Sequence, residues 1–256
     1  MSLAAALGSR RDLGGKCLVP YLTGGFGDWT TMLGAAADAG ADAIEVGIPF
    51  SDPVMDGPVI QEASSRALAE GTTPASVLDA LARIDLGVPL AVMTYVNLVY
   101  RFGYERFART AAASSVAAAI LPDLPLEECG EWSEVADAAG VETVMLAAPT
   151  ASDDRLDRVV ARSRGFVYAV GLLGITGERD ELASSAKVIA GRARERTELP
   201  VLVGVGISTP AQAVEVCEVA DGVVIGSVIV RRALETGSPD AVGELVGTFR
   251  DALDRG

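Results

Sequence analysis

A glutamate inside an apolar segment is the first residue whose type could do chemistry. Glu45 stands between Ile44 and Val46. A carboxylate buried among such neighbours is costly unless it is paired or functional, and the loss of water raises its pKa. A raised pKa suits a group that delivers a proton and takes it back near neutral pH. The alternative is a structural glutamate bonded to a hydroxyl or water, and we favour the catalytic interpretation.

Two aspartates follow Glu45 in a loop rich in proline and glycine, residues 49–58. Asp52 stands early in this loop, and Asp56 is followed by Gly57. Because Asp-Gly is a common turn pair, Asp56 alone indicates a turn as often as catalysis. On the loop that follows Glu45 it becomes a candidate second carboxylate, whose ionised form could accept a hydrogen bond from a substrate N–H.

Glycine-rich segments late in the chain could bind a phosphate group. Residues 204–210 follow one apolar run, and Gly226-Ser227 follows the next and begins a helical pattern. Glycine lets the backbone approach an anion, and a helix N-terminus adds N–H donors and a favourable dipole. A single glycine at a strand end usually marks only a turn, but two such loops in succession predict a phosphate site. A third glycine-rich loop, residues 171–177, predicts a mobile lid that excludes water, with an ordinary connection as the alternative.

Missing residue types and the charge balance exclude several functions. The chain has 256 residues, no histidine and a formal net charge of −14. The charge argues against nucleic acid and anionic membranes as partners. The lack of histidine excludes histidine-based triads and metal sites. Lys16 and Lys187, the only lysines, do not follow predicted strands, which disfavours Schiff-base chemistry.

The cysteines and the apolar runs indicate a protein of a reducing compartment. Cys17, Cys129 and Cys217 are scattered, without a Cys-x-x-Cys spacing, so we expect them to be buried as small apolar residues. The sequence shows neither a signal-peptide pattern nor an uninterrupted apolar run of membrane-spanning length. It therefore predicts a cytoplasmic protein.

Short apolar runs alternate with amphipathic segments along the whole chain. The runs lack strict alternation, as expected for strands buried on both faces, and predict strands at 18–22, 43–47, 90–95, 117–121, 143–147, 166–170, 201–203 and 222–225. The amphipathic segments predict helices at 3–10, 29–39, 58–70, 74–84, 104–113, 126–139, 154–162, 210–219 and 240–253. Asp28, Ser152 and Thr209 are predicted N-caps, and Gly40 and Gly140 predicted helix ends.

Eight strand–helix alternations predict a parallel sheet, and eight strands close a barrel. We predict an α/β fold: a single-domain (β/α)8 TIM barrel over residues 1–256, with extra helices at the N-terminus and between the second and third strands. In such a barrel the active site lies at the C-terminal ends of the strands. Glu45 and both phosphate loops are expected at that end.

Several motifs resemble those of the tryptophan synthase alpha chain family, over essentially the whole chain. They are Ile44-Glu45-Val46-Gly47-Ile48-Pro49-Phe50-Ser51-Asp52-Pro53, Asp56-Gly57-Pro58-Val59-Ile60-Gln61, Leu121-Pro122-Asp123-Leu124-Pro125, Gly174-Ile175-Thr176-Gly177, Gly204-Val205-Gly206-Ile207-Ser208 and Gly226-Ser227. The resemblance implies a lyase of tryptophan biosynthesis that cleaves indole-3-glycerol phosphate to indole and glyceraldehyde 3-phosphate. This retro-aldol reaction needs no cofactor in this chain.

The resemblance also implies roles for individual residues. Glu45 would protonate the indole C3 carbon and help deprotonate the glycerol hydroxyl, while Asp56 would bind the indole N–H and stabilise the indolenine cation. The residues implied to wall the indole pocket are Tyr21, Met93, Tyr95, Leu124 and Tyr168. Those implied to bind the rest of the substrate, including its phosphate, are Thr176, Gly177, Gly206, Gly226 and Ser227.

A beta-subunit partner, in a heterotetramer of two alpha and two beta chains, is implied as well. That subunit carries pyridoxal phosphate and receives indole through a tunnel, and the positions matching the interface are Asp52, Asn97 and Asp123. Two loops depart from the family pattern. Gly171 and Leu172 stand where Ser-Arg is usual, and Gly27 stands where proline is common. These departures bear on lid closure and on communication with the partner.

Three alternatives stay open at the level of sequence. A stand-alone lyase would release free indole. Another phosphate-binding barrel, such as an isomerase of histidine or tryptophan biosynthesis, would share the phosphate loops but leave Glu45 with Asp56 unexplained. A non-catalytic paralogue that activates a partner dependent on pyridoxal phosphate would not need both carboxylates.

Overall fold

Eight parallel strands close into one barrel in the computed structural model. The structure describes residues 1–171, 179–204 and 206–256, and for residues 179–183 only the backbone. Each strand pairs with its neighbour in chain order and the last pairs with the first: β1 (Cys17–Thr23), β2 (Ile44–Gly47), β3 (Leu90–Met93), β4 (Val116–Ile120), β5 (Glu142–Ala147), β6 (Val167–Ala169), β7 (Val201–Val203) and β8 (Gly222–Ile225). The predicted TIM barrel is confirmed.

Helices follow the strands and cover the outside of the barrel. They are α1 (Leu3–Asp12), α2 (Trp29–Asp38), α3 (Pro58–Ala69), α4 (Pro74–Leu81), α5 (Val96–Phe102), α6 (Tyr104–Ala113), α7 (Gly130–Ala139), α8 (Asp153–Arg162), α9 (Arg179–Arg194), α10 (Pro210–Val216), α11 (Ser227–Thr236) and α12 (Pro239–Arg255). Within the described ranges, no helix combines the length and the apolar character that crossing a membrane requires.

The sheet carries a hydrophobic layer on each of its faces. The outer layer joins the strands to the helices and includes Val92 and Phe107, while the inner cluster fills the barrel and includes Ile120, Val144 and Phe166. Burying one such side chain contributes about 1.5–3 kcal/mol. Burial on both faces explains why the strands are nearly continuous apolar runs in the sequence.

Helix α1 closes the N-terminal end of the barrel. Leu3 and Leu7 are fully buried in the inner cluster. Glu142, the first residue of β5, accepts hydrogen bonds from the backbone N–H groups of Leu3 at 2.6 Å and Ala4 at 3.3 Å. These are N–H groups of the first turn, which have no partner within a helix. The opposite end of the barrel is therefore the open one.

Several predicted element boundaries are wrong, and four of them have a clear physical reason. The helices predicted to reach residues 84 and 219 end at Leu81 and Val216, because the next turn tightens to bonds between residues three apart. The helix predicted from residue 126 begins at Gly130, since turns occupy the preceding residues. The strand predicted to residue 95 ends at Met93, and Tyr95 instead precedes α5, a helix that the sequence did not predict.

All three predicted N-caps stand at the N-cap position of their helices, and two of them make the capping hydrogen bond. Ser152 accepts a hydrogen bond from the N–H of Arg155 at 3.3 Å, and Thr209 forms a capping box with Gln212. Asp28 makes no such bond, because its carboxylate accepts the hydroxyl of Thr31 at 2.8 Å. Both predicted helix-ending glycines have a positive φ, +96° at Gly40 and +75° at Gly140.

The cysteines and lysines lie where the sequence predicts. Cys17, Cys129 and Cys217 are buried and free, and burial raises the pKa of Cys17 to about 12, which keeps its thiol unreactive. Lys16 donates to the carbonyl of Ala220 at 3.0 Å, and Lys187 lies on α9, away from the strand ends.

Candidate active site

Glu45 lies inside the barrel on β2, level with Tyr21 of β1 and Ala91 of β3. Its exposed fraction is 1%. Burial, and to a smaller extent the charge of Asp56, raises the pKa of Glu45 to about 8. Its Oε2 atom is buried and has no hydrogen-bond partner among the described residues. A buried carboxyl with one unpaired oxygen is suited to bind and protonate a ligand.

Asp56 lies on the loop between β2 and α3 and is half-buried. Burial raises the pKa of its carboxyl, and a hydrogen bond from the Tyr95 hydroxyl opposes that rise by favouring the ionised form. The side-chain amide of Gln61 donates to the carbonyl of Asp56 at 2.8 Å. The backbone and the carboxylate of Asp56 are therefore both held, at a place where its charge raises the pKa of Glu45.

Tyr95 fixes the loop that carries Asp56. Its exposed fraction is 3%, its hydroxyl accepts the backbone N–H of Met55 at 2.9 Å, and its ring packs on Phe50 with centroids 5.1 Å apart. The same hydroxyl also forms the hydrogen bond with Asp56, so it contacts two successive residues of the loop, Met55 and Asp56. The sequence predicts Tyr95 only as a wall of the pocket, and nothing in the sequence signals its contacts with the loop.

Two other buried tyrosines place their hydroxyls against glycines at the ends of strands. A Cβ atom at Gly47 would lie 1.8 Å from the Tyr21 hydroxyl, and one at Gly204 would lie 2.2 Å from the Tyr168 hydroxyl. Burial and the charges of Glu45 and Asp56 hold the pKa of both tyrosines well above the usual value. Glycine within or just after a strand often marks a place where another group comes close to the backbone. Gly47 and Gly204 were therefore the sequence signal that could have predicted these two contacts.

Pocket-wall residues from the other strands fall into two groups. Met93, at the end of β3, packs against the inner cluster with Tyr21 and Tyr168. Leu124, on the loop after β4, packs instead against the outer layer. Leu146 of β5 is level with Tyr168 and packs against the inner cluster, although the sequence did not single it out.

The predicted phosphate loops lie on neighbouring strands, after β7 and β8. Gly206 has a φ of +81°, and Gly226 immediately precedes α11. A Cβ atom at Gly226 would lie 3.7 Å from Cβ of Tyr21, the residue level with Glu45 on the neighbouring strand. This loop therefore borders the same part of the barrel interior as Glu45. The N–H groups at the start of α11, including that of Ser227, are positioned for an anion.

Predictions on the lid loop lie outside the described residues. Thr176 and Gly177 fall there, as does Leu172, one of the two departures from the family pattern. Gly171 is described and half-buried. The other departure, Gly27, has a φ of +58°, which proline cannot adopt, so the first loop turns differently from one with proline there.

The predicted interface residues follow strands at the open end of the barrel, Asp52 and Asp123 on loops and Asn97 in the first turn of α5. Asp52 and Asn97 are exposed. Asp123 is half-buried and accepts the N–H of Val96 at 2.8 Å, which holds the start of α5. Val54 and Met55 expose apolar side chains next to Asp52, with exposed fractions of 79% and 56%.

The geometry favours proton transfer between carboxyl groups and a ligand. Glu45, with a pKa of about 8, is protonated near neutral pH and can deliver a proton to a ligand. The ionised form of Asp56, which accepts a hydrogen bond from Tyr95, favours positive charge on that ligand. Within the described ranges, no three cysteine, aspartate or glutamate side chains cluster as metal ligands would.

Comparison with protein families and curated relatives gives one consistent result. A family model described as tryptophan synthase alpha chain matches residues 9–244. The tryptophan synthase alpha chain of Thermobifida fusca is 42% identical over 261 aligned positions, which cover 99% of this chain and 97% of the relative. That of Streptomyces coelicolor is 43% identical and covers 97% of this chain and 93% of the relative.

Solved structures agree with the sequence comparisons. Tryptophan synthase subunit alpha from Legionella pneumophila superposes with a TM-score of 0.89 at 32% identity, covering 100% of this chain and 99% of the other. A chain of Mycobacterium tuberculosis tryptophan synthase also gives 0.89, at 35% identity, with 98% and 97% of the two chains covered.

Proposed function

The chain belongs to the tryptophan synthase alpha chain family, and from this premise we propose that Glu45 and Asp56 cleave indole-3-glycerol phosphate to indole and glyceraldehyde 3-phosphate. Residues 1–256 act as one catalytic domain, a lyase of tryptophan biosynthesis. One observation carries the assignment of roles. Glu45 is a buried acid with a pKa of about 8 and an unpaired oxygen, and Asp56 is close enough to raise that pKa.

Glu45 enters the reaction in its protonated form. It gives its proton to C3 of the indole ring, which becomes an indolenine cation, and Glu45 becomes a carboxylate. That carboxylate takes the proton of the glycerol hydroxyl next to C3 while the bond between C3 and the hydroxyl carbon breaks. The bond electrons return to the ring, the hydroxyl carbon becomes an aldehyde, and Glu45 recovers its proton. No cofactor from this chain enters these steps.

Asp56 stabilises the cation. Its ionised carboxylate accepts a hydrogen bond from the indole N–H, and the bond strengthens as positive charge develops on the ring. An interaction that is stronger in the transition state than in the substrate complex accelerates the reaction. Tyr95 supports this role because its hydrogen bond favours the ionised form of Asp56.

The remaining predicted residues bind and enclose the substrate. The N–H groups around Gly206, Gly226 and Ser227 bind the phosphate group at the ends of β7 and β8. Tyr21, Met93 and Tyr168 wall the indole ring from the inner face of the barrel, with Tyr95 beside Asp56. Leu124, Thr176 and Gly177 stay predicted substrate-binding residues, since Leu124 packs against the outer layer and the other two lie outside the described residues.

The partner is the beta subunit of tryptophan synthase, in a heterotetramer of two alpha and two beta chains. The exposed apolar pair Val54 and Met55, with Asp52 and Asn97 nearby on the open end, supports a docking surface there. Pyridoxal phosphate belongs to that subunit. A stand-alone lyase that releases free indole is the second candidate, favoured by the altered loop at Gly27. Cytoplasmic location stays a prediction.

Two substitutions test the roles of the carboxyl groups. We expect Glu45→Gln to abolish indole release, because the amide cannot give up a proton, while the fold survives. Asp56→Asn should lower kcat by about 100-fold or more, as loss of one transition-state contact does, and leave the affinity for inorganic phosphate unchanged. Glu142→Gln, a change at the closed end of the barrel, is the matched control and should retain activity.

Each substitution has an outcome that would contradict the proposal. A fully active Glu45→Gln enzyme would remove Glu45 from the mechanism. An Asp56→Asn chain that fails to fold, as judged by circular dichroism, would assign Asp56 to the turn with Gly57 and not to catalysis.

A further inference from the structure

The side chain of Tyr21 extends from the phosphate loop after β8 to the end of β2. Its strand, β1, pairs with β8 on one side and with β2 on the other. A Cβ atom at Gly226, just after β8, would lie 3.7 Å from Cβ of Tyr21, and one at Gly47, the last residue of β2, would lie 1.8 Å from the Tyr21 hydroxyl. The side chain therefore begins beside the phosphate loop and ends beside the strand that carries Glu45.

The Tyr21 hydroxyl lies within reach of the charges of both carboxyl groups in the site. Burial, and then the charges of Asp56 and Glu45, hold the pKa of Tyr21 well above its usual value. The hydroxyl consequently stays protonated throughout the neutral pH range. It can donate a hydrogen bond, but it does not act as a base.

Among the described residues, the one hydrogen-bonding neighbour of the Tyr21 hydroxyl is Thr23. Thr23 lowers the pKa of Tyr21, as a donor to its oxygen does, although the buried Thr23 Oγ1 atom falls short of full hydrogen-bond geometry. The proton of Tyr21 itself is therefore not used. Because a buried tyrosine hydroxyl usually finds a partner, this proton points to an acceptor on the ligand.

The path of the substrate indicates which atom is that acceptor. In the proposed reaction the phosphate binds after β7 and β8, while C3 of the indole contacts Glu45 on β2. The glycerol chain joins these two points and so runs along β1, which lies between β8 and β2. Of its two free hydroxyl groups, the one next to C3 lies at the Glu45 end of the chain. The Tyr21 hydroxyl lies at the same end, beside Gly47.

We propose that the Tyr21 hydroxyl donates a hydrogen bond to the oxygen of the glycerol hydroxyl next to C3. Glu45 takes the proton of that hydroxyl, negative charge develops on its oxygen, and this oxygen becomes the aldehyde oxygen as the bond to C3 breaks. The donor stabilises the developing charge. Tyr21 keeps its own proton, so the proton balance of the reaction is unchanged. This inference rests on the proposed function, because it adds a second group at the atom that Glu45 deprotonates.

Tyr21→Phe tests the inference, since it retains the ring and removes the hydroxyl. We expect kcat for indole-3-glycerol phosphate to fall about tenfold, roughly the contribution of one neutral hydrogen bond. The dissociation constant of indole-3-propanol phosphate should not change, because this compound keeps the indole and the phosphate but lacks both glycerol hydroxyls. Tyr100→Phe, at an exposed position of α5, is the matched control and should change neither quantity.

A crystal structure of the Glu45→Gln chain with uncleaved indole-3-glycerol phosphate gives a readout that does not depend on turnover. The Tyr21 oxygen should lie about 3 Å from the oxygen of the hydroxyl next to C3, and a separation above about 4 Å would overturn the inference.

The kinetic outcomes separate this inference from the proposed function. An undiminished kcat in Tyr21→Phe would remove the hydroxyl from the reaction. A loss of affinity for indole-3-propanol phosphate as large as the loss of kcat would assign Tyr21 to packing alone. A shift of the acidic limb of the pH–rate profile would place the hydrogen bond on Asp56 and would also overturn the inference. A wild-type chain that does not cleave indole-3-glycerol phosphate would contradict the proposed function instead.

Discussion

At the scale of single residues, environment determines what each carboxyl group does. Burial raises the pKa of both Glu45 and Asp56, to about 8 for Glu45, and at Asp56 a hydrogen bond from the Tyr95 hydroxyl opposes the rise. The residue types were enough to predict this pair, because an acidic residue inside an apolar strand is costly. The Tyr95–Asp56 bond was not predictable, since the two residues meet only when the loop folds back over β3.

The raised pKa of Glu45 makes stability depend on pH. In the unfolded chain its pKa is near 4.5 and in the folded chain about 8, so between these values the folded state binds more protons. Stability therefore falls as pH rises through this window. At about 1.4 kcal/mol per pKa unit, the loss is on the order of 5 kcal/mol.

Urea unfolding at several pH values checks this linkage. We expect Glu45→Gln to gain stability relative to wild type as pH increases from 4 to 9, because the amide does not ionise. Glu142→Gln should show no such trend of this size. A difference between Glu45→Gln and wild type that stays constant over the whole range would mean that Glu45 ionises in the folded chain as it does in water.

Tyr95→Phe tests whether the hydroxyl controls Asp56. The ring is retained, but the loss of the hydrogen bond should raise the pKa of Asp56 and move the acidic limb of the kcat/KM profile to higher pH. The alkaline limb, which belongs to Glu45, should stay near pH 8. Tyr100→Phe is the matched control, as Tyr100 lies on α5 and is 68% exposed. If the acidic limb does not move, the Tyr95 hydroxyl does not control the ionisation of Asp56, and Tyr95 serves only as part of the pocket wall.

At the scale of elements, strands were predictable and their ends less so. The strands are buried on both faces, which gives apolar runs that stand out in the sequence. Helix α5 was missed because its seven residues continue an apolar segment and its start is held by Asp123, a residue distant in sequence. The sequence predicted glycines at strand ends to form turns or to bind phosphate. In the structure Gly47 and Gly204 instead leave space for the hydroxyls of Tyr21 and Tyr168.

A double-mutant cycle tests the packing of Tyr21 on Gly47. Gly47→Ala places a methyl group 1.8 Å from the Tyr21 hydroxyl and should cost about 1–3 kcal/mol of stability. Tyr21→Leu in the same chain removes the clash, so the two changes should be non-additive by about 1 kcal/mol or more. Gly34→Ala, in α2 with open space around it, should not destabilise. Additive effects in chemical denaturation would contradict this contact.

At the scale of the whole molecule, the barrel separates stability from function. Helix α1 and Glu142 close one end, and Glu45, Asp56, the phosphate loops and the exposed apolar pair Val54 and Met55 lie toward the other. The sequence predicted this polarity because catalytic residues of the fold follow its strands.

The most direct measurement is indole release from indole-3-glycerol phosphate by the purified chain, with and without a tryptophan synthase beta subunit. We expect release in both cases, abolished by Glu45→Gln, and strongly accelerated by the partner. Fast release that ignores the partner would identify the stand-alone lyase. A folded chain that releases no indole under either condition would contradict the proposed function.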